Sequence, residues 1–178
     1  MNVIFKLFLV LLLFSCTQKE ATKNEGVLDS SGFTTNVLSE NQLSIRWRVK
    51  DNTELEAALI GDPGGQGWIA VGFGTSMMAG AKIVVAQNGS DSGFISDATG
   101  YNFGLNNNST TILDSSSISI SGTTITASFN VTLSDVNITI NEATPMIWAF
   151  RRVDQNKQDN LGSIGKHNSR GSTSITFK

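Results

Sequence analysis

Two methionines and a single histidine are the residues of this chain best suited to binding a metal centre. Met77 and Met78 interrupt the apolar stretch GWIAVGFGTSMMAGAKIVVA, residues 67–86, where a strand pair normally carries polar turn residues. His167 is the only histidine. A thioether and an imidazole form the axial ligand set of some haem proteins, whereas methionine alone is a common filler of apolar cores. The residue types by themselves leave both interpretations open.

Signals for other chemistries are weak. His167 has no G-x-S-x-G motif to accompany it, so a serine nucleophile has no support. The glycine pairs Gly64-Gly65 and Gly72-x-Gly74 precede no helical pattern and no suitably placed lysine, which argues against a phosphate loop. The carboxylates are scattered rather than paired. We therefore expect a protein that is not an enzyme.

The first sixteen residues, MNVIFKLFLVLLLFSC, are typical of an export signal. Lys6 precedes a hydrophobic run over Leu7–Phe14 that is too short for a bilayer span of about 20 residues. The run ends in Leu-Phe-Ser-Cys16, which resembles a bacterial lipobox, so we predict a lipoprotein signal peptide over residues 1–16 and lipidation of Cys16. An ordinary secretory signal or a short anchor is the alternative.

The rest of the chain predicts one exported domain on a tether. Residues 17–26 are polar and charged without apolar period, as in a flexible linker. Cys16 is the only cysteine, so the mature protein has no disulfide and no cysteine-based metal site, and residues 27–178 must be held together by one apolar core. The formal net charge of −2 gives no indication of nucleic-acid binding.

The domain has the pattern of short strands separated by turn residues. Residues 43–49 alternate strictly between apolar and polar, and two alternating runs flank Ser121-Gly122-Thr123, which predicts a hairpin. Residues 146–150 and 172–177 predict further strands, and only residues 133–136 suggest a helical turn. About ten antiparallel strands at regular spacing predict an all-β, immunoglobulin-like β-sandwich.

Several motifs, in order, resemble the DOMON domain, a family named from the N-terminal domain of dopamine β-monooxygenase. They are GWIAVGFG followed by Met78-Ala79-Gly80-Ala81 and a valine-rich strand, then a strand ending in Asp97, the Ile147-Trp148-Ala149 strand, and a closing His167-x-x-Arg170-Gly171. The resemblance covers roughly residues 30–178. It departs at Lys82, where many members carry aspartate.

The resemblance implies a cofactor site. In cytochrome members such as the electron-transfer domain of cellobiose dehydrogenase, a methionine and a histidine hold haem b, and these positions correspond to Met78 and His167; other members share the motifs without haem. A slot for the ring would be lined by apolar side chains, with arginine or lysine near the propionates. The expected lining residues are Trp68, Phe73 and Trp148, and the expected cations are Arg170, Arg151, Arg152 and Lys82.

The leading hypothesis is therefore a lipid-anchored domain in the bacterial cell envelope, on the outer membrane, its periplasmic side or the cell surface. It would bind haem b through Met78 and His167 and exchange electrons with an unknown redox partner. Two alternatives stay open: a non-redox module that binds carbohydrate or another small ligand on the same sandwich, and an interaction lipoprotein without a ligand. Binding by exposed aromatics has little support, because the chain has three tryptophans and one tyrosine.

Overall fold

A computed structural model describes residues 27–39, 43–65, 67–88, 93–101, 104–107, 111–152, 167 and 169–178. This part of the chain contains twelve β-strands and one 3-10 helix. In chain order the strands are β1 (Val27–Leu28), β2 (Thr34–Ser39), β3 (Leu43–Lys50), β4 (Glu54–Gly61), β5 (Trp68–Phe73), β6 (Lys82–Asn88), β7 (Gly93–Tyr101), β8 (Gly104–Asn107), β9 (Ser115–Ser121), β10 (Thr124–Thr132), β11 (Ala143–Arg151) and β12 (Ser169–Thr176).

The strands form two six-stranded antiparallel sheets that pack face to face as a β-sandwich. The first sheet has the order β1-β2-β3-β4-β10-β9, and the second has the order β12-β11-β5-β6-β7-β8. The expectation of an all-β sandwich is confirmed. The predicted helical turn is also confirmed, as the 3-10 helix Leu133–Val136, which follows β10.

Alternation along the strands follows the predicted period of two. In β10 every second residue is buried, from Ile125 to Val131, and the residues between them are half-buried. The β9–β10 hairpin pairs Ile120 with Ile125, and its turn uses Gly122 at φ 61°, a conformation that glycine adopts without steric cost. β9 is an edge strand, as the sequence predicts.

The main core lies between the sheets and is rich in aromatic side chains. Phe73 of β5 packs against Phe129 of β10 and against Phe177, with ring centroids 6.5 and 6.4 Å apart. Trp47 of β3 meets Phe177 edge to face at 5.4 Å. Edge-to-face and tilted contacts of this kind stabilise a core beyond the area they bury.

Strands β5 and β6 have residues buried on both faces. All six residues of β5 are buried, as are the five central residues of β6. An outer sheet of an antiparallel sandwich commonly has one solvated face with alternating polar residues. The continuous apolar runs of β5 and β6 therefore mark a second apolar surface, on the side of the second sheet that faces away from the core.

Several predicted features lie outside the described residues. They are the signal peptide with Cys16 and the tether over residues 17–26. Within the residues the structure describes, no helix has the length and apolar character needed to cross a membrane.

Candidate functional site

The outer face of the second sheet carries a separate apolar cluster, which we call the outer-face cluster. It comprises the buried residues Trp68, Ala70, Ala81, Ile83 and Val85, and Met78, Ile147 and Ala149 pack against it half-buried. The alternation of β5, β6 and β11 produces it, because successive side chains point to opposite faces of a strand. Along this face the cross-strand pairs are Ala70 with Val85 and with Ala149.

Small residues form the floor of this surface. Ala70 and Ala149 lie opposite each other on β5 and β11, and Gly72 pairs with Ile147 in the next row of the same face. A Cβ on Gly72 would come within 2.7 Å of Ile147 Cγ1, so the isoleucine side chain leans over the glycine. A floor of small residues accommodates a flat apolar group more readily than a floor of branched side chains does.

Met78 lies in the loop between β5 and β6, and this loop is fastened to β7. The Gly80 N–H donates to the Gly100 carbonyl at 2.9 Å, and the Gly100 N–H donates to the Ala81 carbonyl at 3.0 Å. The Met78 carbonyl lies so close to the Gly100 Cα that a Cβ there would overlap it. Glycine at position 100 is therefore required for the loop to lie where it does, with the Met78 side chain against the outer-face cluster.

Met77 and Met78 have different environments. Met77 is 66% exposed, and its N–H donates to the Thr75 hydroxyl within the loop. The interpretation of Met77 as a core filler is therefore wrong, because the loop is a series of turns rather than an extended strand and presents Met77 to solvent. Met78 is the methionine whose thioether is held against the protein.

The three predicted lining residues do not share one face. Trp68 belongs to the outer-face cluster. Phe73 is fully buried in the core between the sheets, and Trp148 packs against that same core, stacked on Phe150 with ring centroids 6.5 Å apart. Gly171 lies beneath the Trp148 indole, where a Cβ would overlap the ring. The structure thus places Trp68 and Met78 on the same face of the second sheet, at opposite ends of β5, and separates both from Phe73 and Trp148.

His167 is half-buried and lies two residues before β12. Ser169 pairs with Phe150, and Phe150 pairs with Ile69, so β12 begins at the end of the sheet where β5 begins. Met78 follows the other end of β5. The two residues therefore lie towards opposite ends of the second sheet, and one metal ion can bind both only if both side chains extend over the outer face.

The predicted cations are distributed unevenly around the cluster. Arg151 pairs with Trp68 and is half-buried at the end of β11. Arg170 pairs with Ala149 but is exposed, as is Arg152. Lys82 begins β6 at the Met78 end and pairs with Phe73. Arg151 and Arg170 are thus the two whose strand positions border the small-residue floor.

One polar row crosses the outer face beyond the apolar residues. In this row Trp68 of β5 pairs with Gln87 of β6 on one side and with Arg151 of β11 on the other. Trp68 is 5% exposed and Gln87 is 2% exposed. The indole Nε1 of Trp68 is buried without a hydrogen-bond partner in the described part of the chain.

The outer face combines groups of several kinds. It offers a thioether, an apolar surface with a small-residue floor, and, beside an arginine, a buried N–H donor that has no acceptor among the described residues. An apolar ligand with an anionic edge matches that combination of groups. In the same part of the chain no group of three or more histidine, cysteine, aspartate or glutamate side chains could hold a metal ion.

The sequence indicated only part of this site. Gly100 and Gln87 were missed as contributors. The signal for Gln87 is its position at the end of the apolar run of β6, where a polar residue in a buried strand is unusual. Gly100 carries no local signal, because its role depends on a loop that lies 20 residues earlier in the chain, with Gly80 N–H bonded to Gly100 O.

The first sheet carries a different kind of concavity on its outer face. A groove of about 450 Å³ is lined mainly by serines, small residues and charged groups from β3, β4, β9 and β10. Its half-buried aromatic residue, Phe33, is covered by the guanidinium groups of Arg46 and Arg48 at 4.4 and 4.6 Å from the ring centroid. This groove shares no residue with the outer-face cluster.

Two solved structures have the same fold. The cytochrome domain of Myriococcum thermophilum cellobiose dehydrogenase superposes with a TM-score of 0.59 at 14% identity, covering 87% of this chain and 88% of that one. The cytochrome b domain of pyranose dehydrogenase from Coprinopsis cinerea superposes with a TM-score of 0.63 at 16% identity, covering 86% of this chain and 87% of that one. No curated protein is significantly similar in sequence.

The sequence profile of the DOMON domain matches residues 39–151, which is more than half of the 178-residue chain. The matched region runs from the end of β2 to the end of β11 and so contains Met78, Trp68 and the floor of the outer-face cluster; His167 follows it. With the sequence profile and the two-sheet architecture in agreement, this chain belongs to the DOMON domain family.

Proposed function

We propose that this DOMON domain binds haem b on the outer face of the second sheet and serves in electron transfer. The observation that carries the proposal is Met78, whose half-buried side chain packs on an apolar surface floored by Ala70 and Ala149. Both structural neighbours named above are cytochrome domains, which supports the same reading. Haem b supplies a one-electron couple at its iron.

Met78 and His167 are the proposed axial ligands. Met78 packs against the outer-face cluster, and His167 precedes β12 at the end of the sheet where β5 begins. Met78 and His167 would together hold the group, and binding by both residues would favour electron transfer over oxygen activation. The domain would then act as a redox carrier and not as an enzyme.

The cellular setting is part of the proposal and follows from the sequence. Cys16 at the end of the hydrophobic run would carry the lipid, and residues 17–26 would separate the domain from the membrane of the cell envelope. The partner would be a redox protein that reaches the domain at the membrane surface. Incorporation of labelled fatty acid into the wild type and into Cys16→Ala tests the anchor.

The ligand assignment is tested by adding haemin to the purified full-length chain. We expect a low-spin absorption spectrum for the wild type, and a high-spin spectrum for Met78→Ala and His167→Ala, because each variant loses one strong-field ligand. Met77→Ala is the matched control: it removes the neighbouring thioether, which is 66% exposed, and should keep the low-spin spectrum.

Three results would contradict the proposal in different ways. A wild type that takes up no haemin excludes the function. A low-spin spectrum that survives both Met78→Ala and His167→Ala leaves haem binding intact but assigns the ligands elsewhere. Loss of the low-spin spectrum in Met77→Ala would exchange the roles of the two methionines.

The groove on the first sheet gives the carbohydrate alternative a location but little support. Sugar-binding sites use exposed aromatic faces, and the ring of Phe33 is contacted by two guanidinium groups. Those arginines are themselves engaged: Arg46 with Asp29 at 2.6 Å and Arg48 with Glu56 at 2.7 Å. We therefore place the ligand on the second sheet.

A further inference from the structure

The indole of Trp68 is the most unusual polar group in the described part of the chain. It lies in the outer-face cluster, 5% exposed, with its Nε1–H buried and without an acceptor among the described residues. A buried N–H that leaves water without gaining a hydrogen bond destabilises the folded state, and native proteins keep few of them. An orphan donor of this kind indicates that an acceptor is supplied from outside the described residues.

The residues around Trp68 indicate which kind of acceptor it would bind. Gln87 and Arg151 flank it in the cross-strand row, so one end of the outer face carries an indole N–H, a carboxamide and a guanidinium group. Among the described residues of this row there is no Asp or Glu, and the one formal charge is positive. An anionic acceptor is therefore favoured over a neutral one, because arginine stabilises negative charge nearby.

The next rows of the same face are apolar, in contrast to the row of Trp68. They contain Ala70, Val85 and Ala149, then Gly72, Ile83 and Ile147, with Met78 packed on the cluster. The face is thus apolar over most of its length and polar at the end where β5 begins. The corresponding ligand has a flat apolar body and a carboxylate at one edge.

We propose that the Trp68 indole N–H donates a hydrogen bond to a carboxylate at the edge of the bound ligand, and that Arg151 adds positive charge beside it. This inference rests on the proposed function, in which that carboxylate is a propionate of haem b. Trp68 is then a binding residue that fixes which edge of the ring lies at the Trp68–Arg151 end of the face. It would contribute a hydrogen bond to the ligand in addition to apolar contact.

The test compares haemin with haemin dimethyl ester, in which both carboxylates are neutral. We expect the wild type to bind haemin more tightly than the ester by roughly 10- to 100-fold, the range expected for a hydrogen bond to an ionised group plus a nearby charge. Trp68→Phe keeps an aromatic ring but removes the N–H, and its ratio of haemin affinity to ester affinity should be about 10-fold lower than that of the wild type. Trp47→Phe, which removes an indole from the core between the sheets, is the control and should keep it.

A second measurement leaves Trp68 in place and so does not depend on the folding of Trp68→Phe. Ultraviolet resonance Raman bands report hydrogen bonding at indole N–H groups, and those of the wild type should shift to the bonded position on addition of haemin but not of the ester. The chain has three tryptophans, and the shift is assigned to Trp68 if it persists in both Trp47→Phe and Trp148→Phe.

The outcomes separate this inference from the proposed function. If the wild type shows a low-spin haem spectrum but Trp68→Phe keeps the full preference for haemin, or the indole bands do not shift, the inference is wrong and the function stands. If the wild type binds neither haemin nor its ester, the proposed function fails and this inference fails with it. A preference lost equally in Trp47→Phe would also overturn the assignment to Trp68.

Discussion

At the scale of single residues, neighbours in the sequence have opposite environments. Met77 is exposed and Met78 packs on the outer-face cluster, although the two have the same side chain. The difference comes from the turns of the loop between β5 and β6, which direct adjacent side chains to different sides. Residue type therefore identified the pair, and local backbone conformation selected the member that can serve as a ligand.

A residue-scale prediction concerns Asp29 in the turn between β1 and β2. The hydrogen bond from the Ser31 hydroxyl, those from the Phe33 and Ser31 N–H groups, and the charge of Arg46 lower the pKa of Asp29 from 3.8 to about 2. Because the folded-state pKa is below that of the unfolded chain, the stabilisation is complete above about pH 4 and is lost as the pH falls towards 2.

We expect Asp29→Asn to lower stability at pH 7 and to flatten the acid limb of the stability curve. Urea unfolding at intervals from pH 7 to pH 2 measures this. Wild type and variant should converge at the acid end, where Asp29 is protonated in both states. A constant difference between them across the whole pH range would contradict the assignment.

At the scale of elements, the loop that bears Met78 depends on a strand that is remote in sequence. β7 holds it through the hydrogen bond from Gly80 N–H to Gly100 O, and Gly100 leaves room for the Met78 carbonyl. The loop joins β5 to β6, and β6 lies between β5 and β7 in the sheet order. The position of the proposed ligand is thus set by three strands acting together.

Gly100→Ala tests this arrangement. Its Cβ would overlap the Met78 carbonyl, so the loop must move away from β7. We expect a loss of roughly 1–3 kcal/mol of unfolding free energy from the overpacking, together with a partial change of the haemin complex from low to high spin, because Met78 is displaced.

Gly122→Ala is the matched control for Gly100→Ala. Gly122 has open space around it but a φ of 61°, so alanine should destabilise the β9–β10 turn by about 1–2 kcal/mol through backbone strain alone. The spectrum of its haemin complex should stay low-spin. Equal spectra for Gly100→Ala and the wild type would show that β7 does not position Met78.

At the scale of the whole molecule, the two strands β5 and β6 of the second sheet are buried on both faces. Their inner face joins the core that holds the sandwich together, with Phe73 against Phe129. Their outer face contributes to the outer-face cluster, which includes Trp68 and the adjoining Met78. Under the proposed function, stability and ligand binding therefore belong to opposite faces of the same strands and should respond to different substitutions.

A pair of variants tests this separation. Phe129→Ala, in the core, should lower the unfolding free energy by about 3–5 kcal/mol, the usual cost of truncating a buried phenylalanine. Haemin affinity per folded molecule should be unchanged. Ala70→Leu, on the outer face, should weaken haemin binding at least about 10-fold by filling the floor, with the smaller cost of about 1–3 kcal/mol that overpacking brings.

Urea unfolding and haemin titration of both variants provide the measurements. If both variants changed haemin affinity and unfolding free energy in the same proportion, the core and the haemin site would not be energetically separate. The comparison requires haem-free protein for the unfolding curves, because a bound ligand raises apparent stability by mass action.

The sequence by itself determined the architecture and the candidate ligand residues. Period-two alternation in β3 and β10 and the turn residues between strands predict an antiparallel sandwich, since each strand needs only its own pattern to define a buried face. The continuous apolar runs of β5 and β6, the family motifs around Met78 and the single His167 are likewise local features. Their chemistry follows from residue type.

The tertiary structure alone decided which residues share a surface. Trp68, Phe73 and Trp148 are equally apolar in the sequence, yet register and strand order place Trp68 on the outer face with Met78 and the other two on the core side. Gly100 supports a loop 20 positions away, and Gln87 and Arg151 flank Trp68 only because β6 and β11 both pair with β5. The pattern of a strand predicts which of its side chains lie on the same face. Which face of the sheet meets the core, and which residues of neighbouring strands lie beside a given side chain, depend on contacts between segments that are distant in the chain.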